Sequence, residues 1–247
     1  MLVLKLSPIF ASWLFAELLT HFCFILYVFY EKKKTNEYNA QVRTFKMNYR
    51  RIFGLKLSCF VTIDPSTFEV TNTFDYADVK KLKPKDGDAD AFSFTCSKNG
   101  AMEWKSEFRN QLLTEFVRLR GMRLDDATLG LPAPFGCERI KRNSLREPGC
   151  LLVRPHALCE TAPDGTVISE YRFLQVAAVQ DAAEDPTVLV LHVAGRARVW
   201  AVNPANGGKA NLVAKMKEQA ALIGLDLKQG PPTSIEQVNR NTRRAEC

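Results

Sequence analysis

Five cations, Arg43, Lys46, Arg50, Arg51 and Lys56, fall within Val42–Ile63 without a single carboxylate, and Phe45 and Tyr49 stand among them. Guanidinium and ammonium groups gathered at one rim hold a phosphate, and arginine does so through two parallel hydrogen bonds. A phosphomonoester carries about −1.5 to −2 charge at neutral pH, so it needs two or three converging cations. Aromatic rings beside them suit the interfacial layer of a bilayer. The chemistry this pattern supports is capture of an anionic lipid headgroup. A plainer reading is also open. Strand alternation groups Arg50 with Ile52 and Arg51 with Phe53, so one arginine would face solvent on an edge strand, where charge discourages aggregation.

Other residue types point away from catalysis. His21, His156 and His192 are far apart and in no metal-ligand spacing. Gly207-Gly208-Lys209-Ala210 precedes a helix but has Asn203 and Ala210 where a phosphate loop needs Gly and Ser or Thr, so it reads as a helix start. Asp86, Asp88, Asp90, Glu184 and Asp185 sit in turn-like stretches that solvate acids. The seven cysteines are odd in number and never spaced C-x-x-C, which suits reduced thiols in a cytosolic chain. Neither an enzyme nor a cofactor is expected.

The elements that would position the basic run belong to a chain of 247 residues, 46% apolar, with net charge +7 and a pI near 9.0. That composition suits one or two compact domains with anionic partners. Nucleic acid is not expected, because the cations are confined and no RNA-reading motif with paired aromatics occurs. Residues 1–38 form an apolar leader. Within it Ile9–Tyr30 has the roughly 20-residue length of a membrane helix and is followed by Glu31-Lys32-Lys33-Lys34, which would keep the following domains in the cytosol. An amphipathic helix packed on the domain, or a wrongly extended start, are the competing readings.

Beyond the leader, short strands alternate with turn signals such as Asp64-Pro65-Ser66-Thr67 and Asn99-Gly100. An amphipathic helix from near Ser106 to Gly121 closes the first half, with Phe108, Leu112, Leu113, Phe116 and Val117 as its stripe. After a basic linker over 124–147 the same order returns over 148–228, ending in a helix from about Gly208 to Ile223. A tail over 229–247 reads as disordered. The expected fold is mainly β (α+β): tandem pleckstrin-homology-like barrels at 39–123 and 148–228, each capped by a C-terminal helix and preceded by an apolar N-terminal helix.

At "NYRRIFGL", "DPSTFEVTNTFDY", "WKSEFRNQLLTEF" and, more loosely, "ALCETAPDGTVISEYRFLQVAAVQDA", the chain resembles the N-terminal region of the large endosomal J-domain (DnaJ subfamily C) co-chaperones of receptor-mediated endocytosis, whose plant members act in vacuolar sorting and gravitropism. The resemblance covers about Val42–Leu227. It implies pleckstrin-homology-like domains that bind phosphatidylinositol 3-phosphate on the endosomal membrane, facing the cytosol, with endosomal sorting proteins as partners. It assigns lipid contact to Arg43, Phe45, Lys46, Tyr49, Arg50 and Arg51. Val42 and Asn48 stand where the family has lysines, Phe45 where it has tryptophan and Met47 where it has glycine. No His-Pro-Asp motif occurs, so no J-domain contact with a heat-shock chaperone is expected from this chain. A protein-interaction scaffold of the same fold, without lipid binding, is the alternative.

Overall fold

Phe24-Ile25-Leu26-Tyr27-Val28-Phe29-Tyr30 is dense in aromatic and β-branched residues, which fit a pleated surface better than a helix. In the computed structural model, which describes residues 24–32, 47–141 and 143–238, this stretch is strand β1 (Phe24–Lys32). It pairs along its length with β2 (Met47–Leu55) and, at Phe29–Glu31, with β7 (Gly100–Lys105). The membrane helix expected over 9–30 is corrected from residue 24 onward, because that backbone is paired with β2 throughout and with β7 at Phe29–Glu31. Residues 9–23 lie outside the described residues. Among the described residues no helix is long and apolar enough to cross a membrane.

The chain divides into two units, residues 1–123 and 124–247. The first is a seven-stranded antiparallel sheet in the order β4-β3-β2-β1-β7-β6-β5, with β3 (Cys59–Ile63), β4 (Val70–Asp75), β5 (Val79–Pro84) and β6 (Ala91–Cys96). One face buries Phe53, Phe60, Phe74, Phe94 and Trp104. Their rings meet edge-on or stacked, with centroids 5.2 Å apart for Phe53 and Trp104 and 4.7 Å for Phe60 and Phe74. Such pairs add about 0.5–1.5 kcal/mol beyond area burial.

Helix α1 (Arg109–Arg123) lays Leu112, Leu113, Phe116, Val117 and Leu119 on this core at helical spacing. The Phe116 ring lies 5.0 Å from Phe60 and 5.3 Å from Tyr76. Two arginines fasten the helix: Arg109 Nη1 donates to the Asp88 carbonyl at 2.9 Å and Arg120 Nη2 to the Val79 carbonyl at 2.9 Å. The hydroxyl of Ser106 accepts the Phe108 amide at 3.2 Å, as an N-terminal cap would, but Phe108 itself is exposed rather than part of the stripe.

The second unit repeats the plan. Its order is β11-β10-β9-β8-β14-β13-β12, built from β8 (Phe135–Ile140), β9 (Arg146–Val153), β10 (Ala157–Thr161), β11 (Val167–Arg172), β12 (Val176–Asp181), β13 (Val188–Val193) and β14 (Arg196–Val202). Helix α2 (Gly208–Leu222) follows, burying Leu212, Met216 and Ala220. Strand β8 lies inside the stretch expected as a linker over 124–147, so it too is a correction. Its residues Phe135 and Cys137 are buried, which its basic, Pro- and Gly-bearing flanks hide from a sequence reading.

The tail expected as disordered over 229–247 is ordered to residue 238. Gln229 and Thr233 bridge in parallel to Val179 and Ala182 on the free side of β12. Ile235 and Val238 then cover a patch of Ala182, Val188, Val190 and Val199 on the outer face of the sheet. Covering that apolar patch offsets the entropy of ordering the segment.

Candidate functional site

Strand β2 begins at Met47, directly opposite Lys32 at the end of β1. The connection of residues 33–46 therefore leaves from and returns to one end of the sheet, and Arg43, Phe45 and Lys46 fall in it, outside the described residues. The register puts two other connections at this same end: the β3–β4 turn of Asp64–Glu69 and the β6–β7 turn of Ser97–Asn99.

Of the remaining expected residues, Tyr49 lies on β2 opposite Tyr30, and Arg50 and Arg51 follow it opposite Phe29 and Val28. Arg50 is exposed and Arg51 half-buried, while Ile52 and Phe53 beyond them are in the core. The arginines thus separate as alternation requires. Arg51 Nη1 lies 3.2 Å from Asp64 Oδ2 and donates to the Arg50 carbonyl at 2.7 Å, which ties the start of β2 to the β3–β4 turn.

That turn is itself well determined. The Asp64 carboxylate accepts the Ser66 amide at 2.9 Å, and the Asp64 carbonyl accepts the Phe68 amide at 2.8 Å. The Ser66 amide is the main cause that holds the Asp64 carboxyl below the usual carboxylate range, with the Arg51 guanidinium adding to it and partial desolvation opposing. Phe68 follows with φ 57°, in the left-handed region that a bulky residue rarely adopts, and its ring is 48% exposed. Val70, 54% exposed, adds a second apolar side chain at the same turn. Sequence reasoning missed this pair. The signal was a Phe placed directly after a Pro-Ser-Thr turn, where a core residue has no reason to be.

The end of the first unit thus combines a cation held by the scaffold, an exposed cation on β2, two exposed apolar side chains, and a connection whose sequence supplies Lys33, Lys34, Arg43 and Lys46. Among the described residues no three metal-ligating side chains gather, and burial pushes the Cys96 and Cys159 thiols up to about 11 and Cys137 to about 12, far from the thiolate form at neutral pH. His192 makes a 2.6 Å contact to the Gln180 amide oxygen, and Lys209, of the glycine-bearing helix start, pairs with Asp181 at 2.8 Å.

Residues 37–122 match the family described as "DNAJ protein RME-8 N-terminal domain". The matched residues, 37–122 of 247, lie within the first unit. The match begins after β1 and takes in the basic run, β2 to β7 and nearly all of α1. No curated protein matches the chain. Among solved structures it is similar to human RhoA in complex with the DH/PH fragment of PDZRHOGEF, at 13% identity and a TM-score of 0.33 over 47% of this chain and 33% of that one. It is also similar to the ternary complex of human RhoA, its inhibitor and the DH/PH domain of human ARHGEF11, at 10% identity and a TM-score of 0.32 over 47% and 34%. The chain spans about a third of the length of either.

Proposed function

We propose that both units are pleckstrin-homology-like folds and that the first is a non-enzymatic targeting module, which brings the chain to the cytosolic face of endosomes by binding phosphatidylinositol 3-phosphate. The role is endosomal protein sorting and endocytic traffic, as part of an RME-8-type co-chaperone N-terminal region. The observation that carries this reading is the family match over the basic run. The shared end of three connections, where Arg51 meets Asp64 and Phe68 is exposed, supports it.

In this reading Arg43, Lys46 and Arg50 face the headgroup phosphate, Arg51 braces β2 against the β3–β4 turn, and Phe45 and Tyr49 take the interfacial layer together with Phe68. Each cation near an anionic leaflet contributes roughly 1 kcal/mol, so three give about 3 kcal/mol, weaker than millimolar. Bidentate headgroup bonds and apolar insertion must supply the rest.

Co-sedimentation of the full chain with vesicles tests the proposal. Vesicles of phosphatidylcholine with phosphatidylinositol 3-phosphate retain the protein, phosphatidylcholine alone does not, and Lys46→Ala with Arg50→Ala abolishes the difference. Retention that is equal on both vesicles, or unchanged in the double variant, overturns the site.

A further inference from the structure

Strands β5 and β12 hold the same place in their units. Each follows a single 3-10 turn, Tyr76–Asp78 or Phe173–Gln175, and each pairs with the next strand through the same irregularity, between Val79 and Lys81 or between Val176 and Ala178. Leu82 therefore corresponds to Val179, Pro84 to Asp181 and Asp86 to Ala183.

The outward side of β12 is occupied by the chain's own segment. The Val179 amide donates to the Lys228 carbonyl and its carbonyl accepts the Gly230 amide, both at 2.9 Å. The Thr233 amide then donates to the Asp181 carbonyl at 2.9 Å and the Ala183 amide to the Thr233 carbonyl at 3.0 Å. Among the described residues β5 is paired on one side only, to β6. Pro84 has no amide hydrogen, yet its counterpart Asp181 uses only its carbonyl in this pairing, so the acceptor is preserved.

The side chains flanking this edge name the occupant. Lys80, Lys81, Lys83 and Lys85 are all exposed. Lys83 and Lys85 reach Asp86 and Glu103 at 3.2 and 3.4 Å, in solvent-exposed pairs that exchange readily for a better carboxylate. A second copy would bring the same lysines and be repelled. The stretches of this chain beside the described residues bring no run of carboxylates, since 1–23 holds Glu17 against Lys5, 33–46 holds Glu37 against Lys33, Lys34, Arg43 and Lys46, and 239–247 holds Glu246 against Arg240, Arg243 and Arg244. A bilayer offers no ladder of main-chain donors and acceptors.

We propose that the β5 edge is a docking strand for an extended acidic peptide of a partner protein. The peptide adds in parallel, as residues 229–233 do on β12, with its main chain on Leu82, Pro84 and Asp86 and its carboxylates on Lys81 and Lys83.

Fluorescence anisotropy of the full chain with a labelled ten-residue peptide alternating Glu and Val tests this. The acidic peptide binds, and the same peptide N-methylated at every second residue binds at least about tenfold more weakly, because its ladder is broken while its charge is kept. Lys81→Glu with Lys83→Glu gives a similar loss with an unchanged circular dichroism spectrum. Equal binding of the N-methylated peptide, or undiminished binding to the double variant, overturns the proposal. So does a result in which the peptide fails to bind while the double variant loses retention on phosphatidylserine vesicles, which would assign the lysines to a membrane.

Discussion

The outer faces of the two sheets differ far more than their backbones do. At matching register, Val190 and Val199 of the second unit stand where the first has Ser93 and Glu103, and Ala182 stands where it has Lys85. The second unit's face is therefore apolar and covered by Ile235 and Val238, while the first unit's bears the Lys85–Glu103 pair and a lysine-lined edge. The same strand order serves two ends, because an edge can be filled by the chain itself or guarded by charge. The strand starts differ likewise. Pairing Leu55 with Phe60 and Val153 with Leu158 aligns Arg50-Arg51 with Pro148-Gly149, so these two arginines have no counterpart in the second unit.

The largest effect should come from undoing the cover. Ending the chain at Leu227 removes the Lys228 carbonyl from Val179 and Ile235 and Val238 from their patch, and at about 1.5–3 kcal/mol for a fully buried aliphatic side chain the second unit should lose about 2–4 kcal/mol, read by urea unfolding. The Val179 amide should then exchange as fast as that of Leu82; slow exchange at Val179 in the shortened chain would mean that the segment is not what protects the edge.

A smaller effect is expected at Gly149, where an added Cβ would lie 2.7 Å from the Thr161 carbonyl oxygen, a backbone atom that cannot swing aside. Gly149→Ala should cost about 1–3 kcal/mol by thermal melting, as overpacking does. The first unit accepts a full side chain, Arg51, at the matching position. A neutral Gly149→Ala variant would show that β9 has as much room beside β10 as β2 has beside β3.

The smallest effect separates the two turn acids. Asp64 and Asp164 both have lowered carboxyl pKa values, chiefly through the Ser66 and Thr166 amides, but an arginine adds to the effect only at Asp64. A lowered folded pKa means each carboxylate supports the fold above about pH 4 and that support fades as the pH falls through the lowered value. In a carboxyl NMR titration, molar salt should raise the Asp64 midpoint more than that of Asp164. Equal responses would remove Arg51 as a cause.

Most of this architecture was legible because the strands alternate and their turns carry mechanisms. Ala91–Cys96 is recovered residue for residue, and Asp64-Pro65-Ser66-Thr67 joins β3 to β4 as read. The two strands misread, β1 and β8, occupy matching positions. β1 is a continuous apolar run that mimics a membrane helix, and β8, though it buries Phe135 and Cys137 and exposes Glu138, sits among Pro, Gly and Arg. β5 escaped notice because Lys80, Lys81, Lys83 and Pro84 read as a loop, though on an edge strand they are at home. Of the candidate site, the alternation at Arg50 and Arg51 was readable, whereas the Arg51–Asp64 pair required knowing that β2 and β3 are neighbours.

Because β1 stands between β2 and β7, it is the keystone of the first sheet, and it lies wholly upstream of residue 37, where the family match starts. A fragment cut at that boundary would keep two three-stranded halves, β4-β3-β2 and β7-β6-β5, whose strands do not pair with one another among the described residues. The stretch recognised by similarity thus omits the strand that joins the two halves of the sheet.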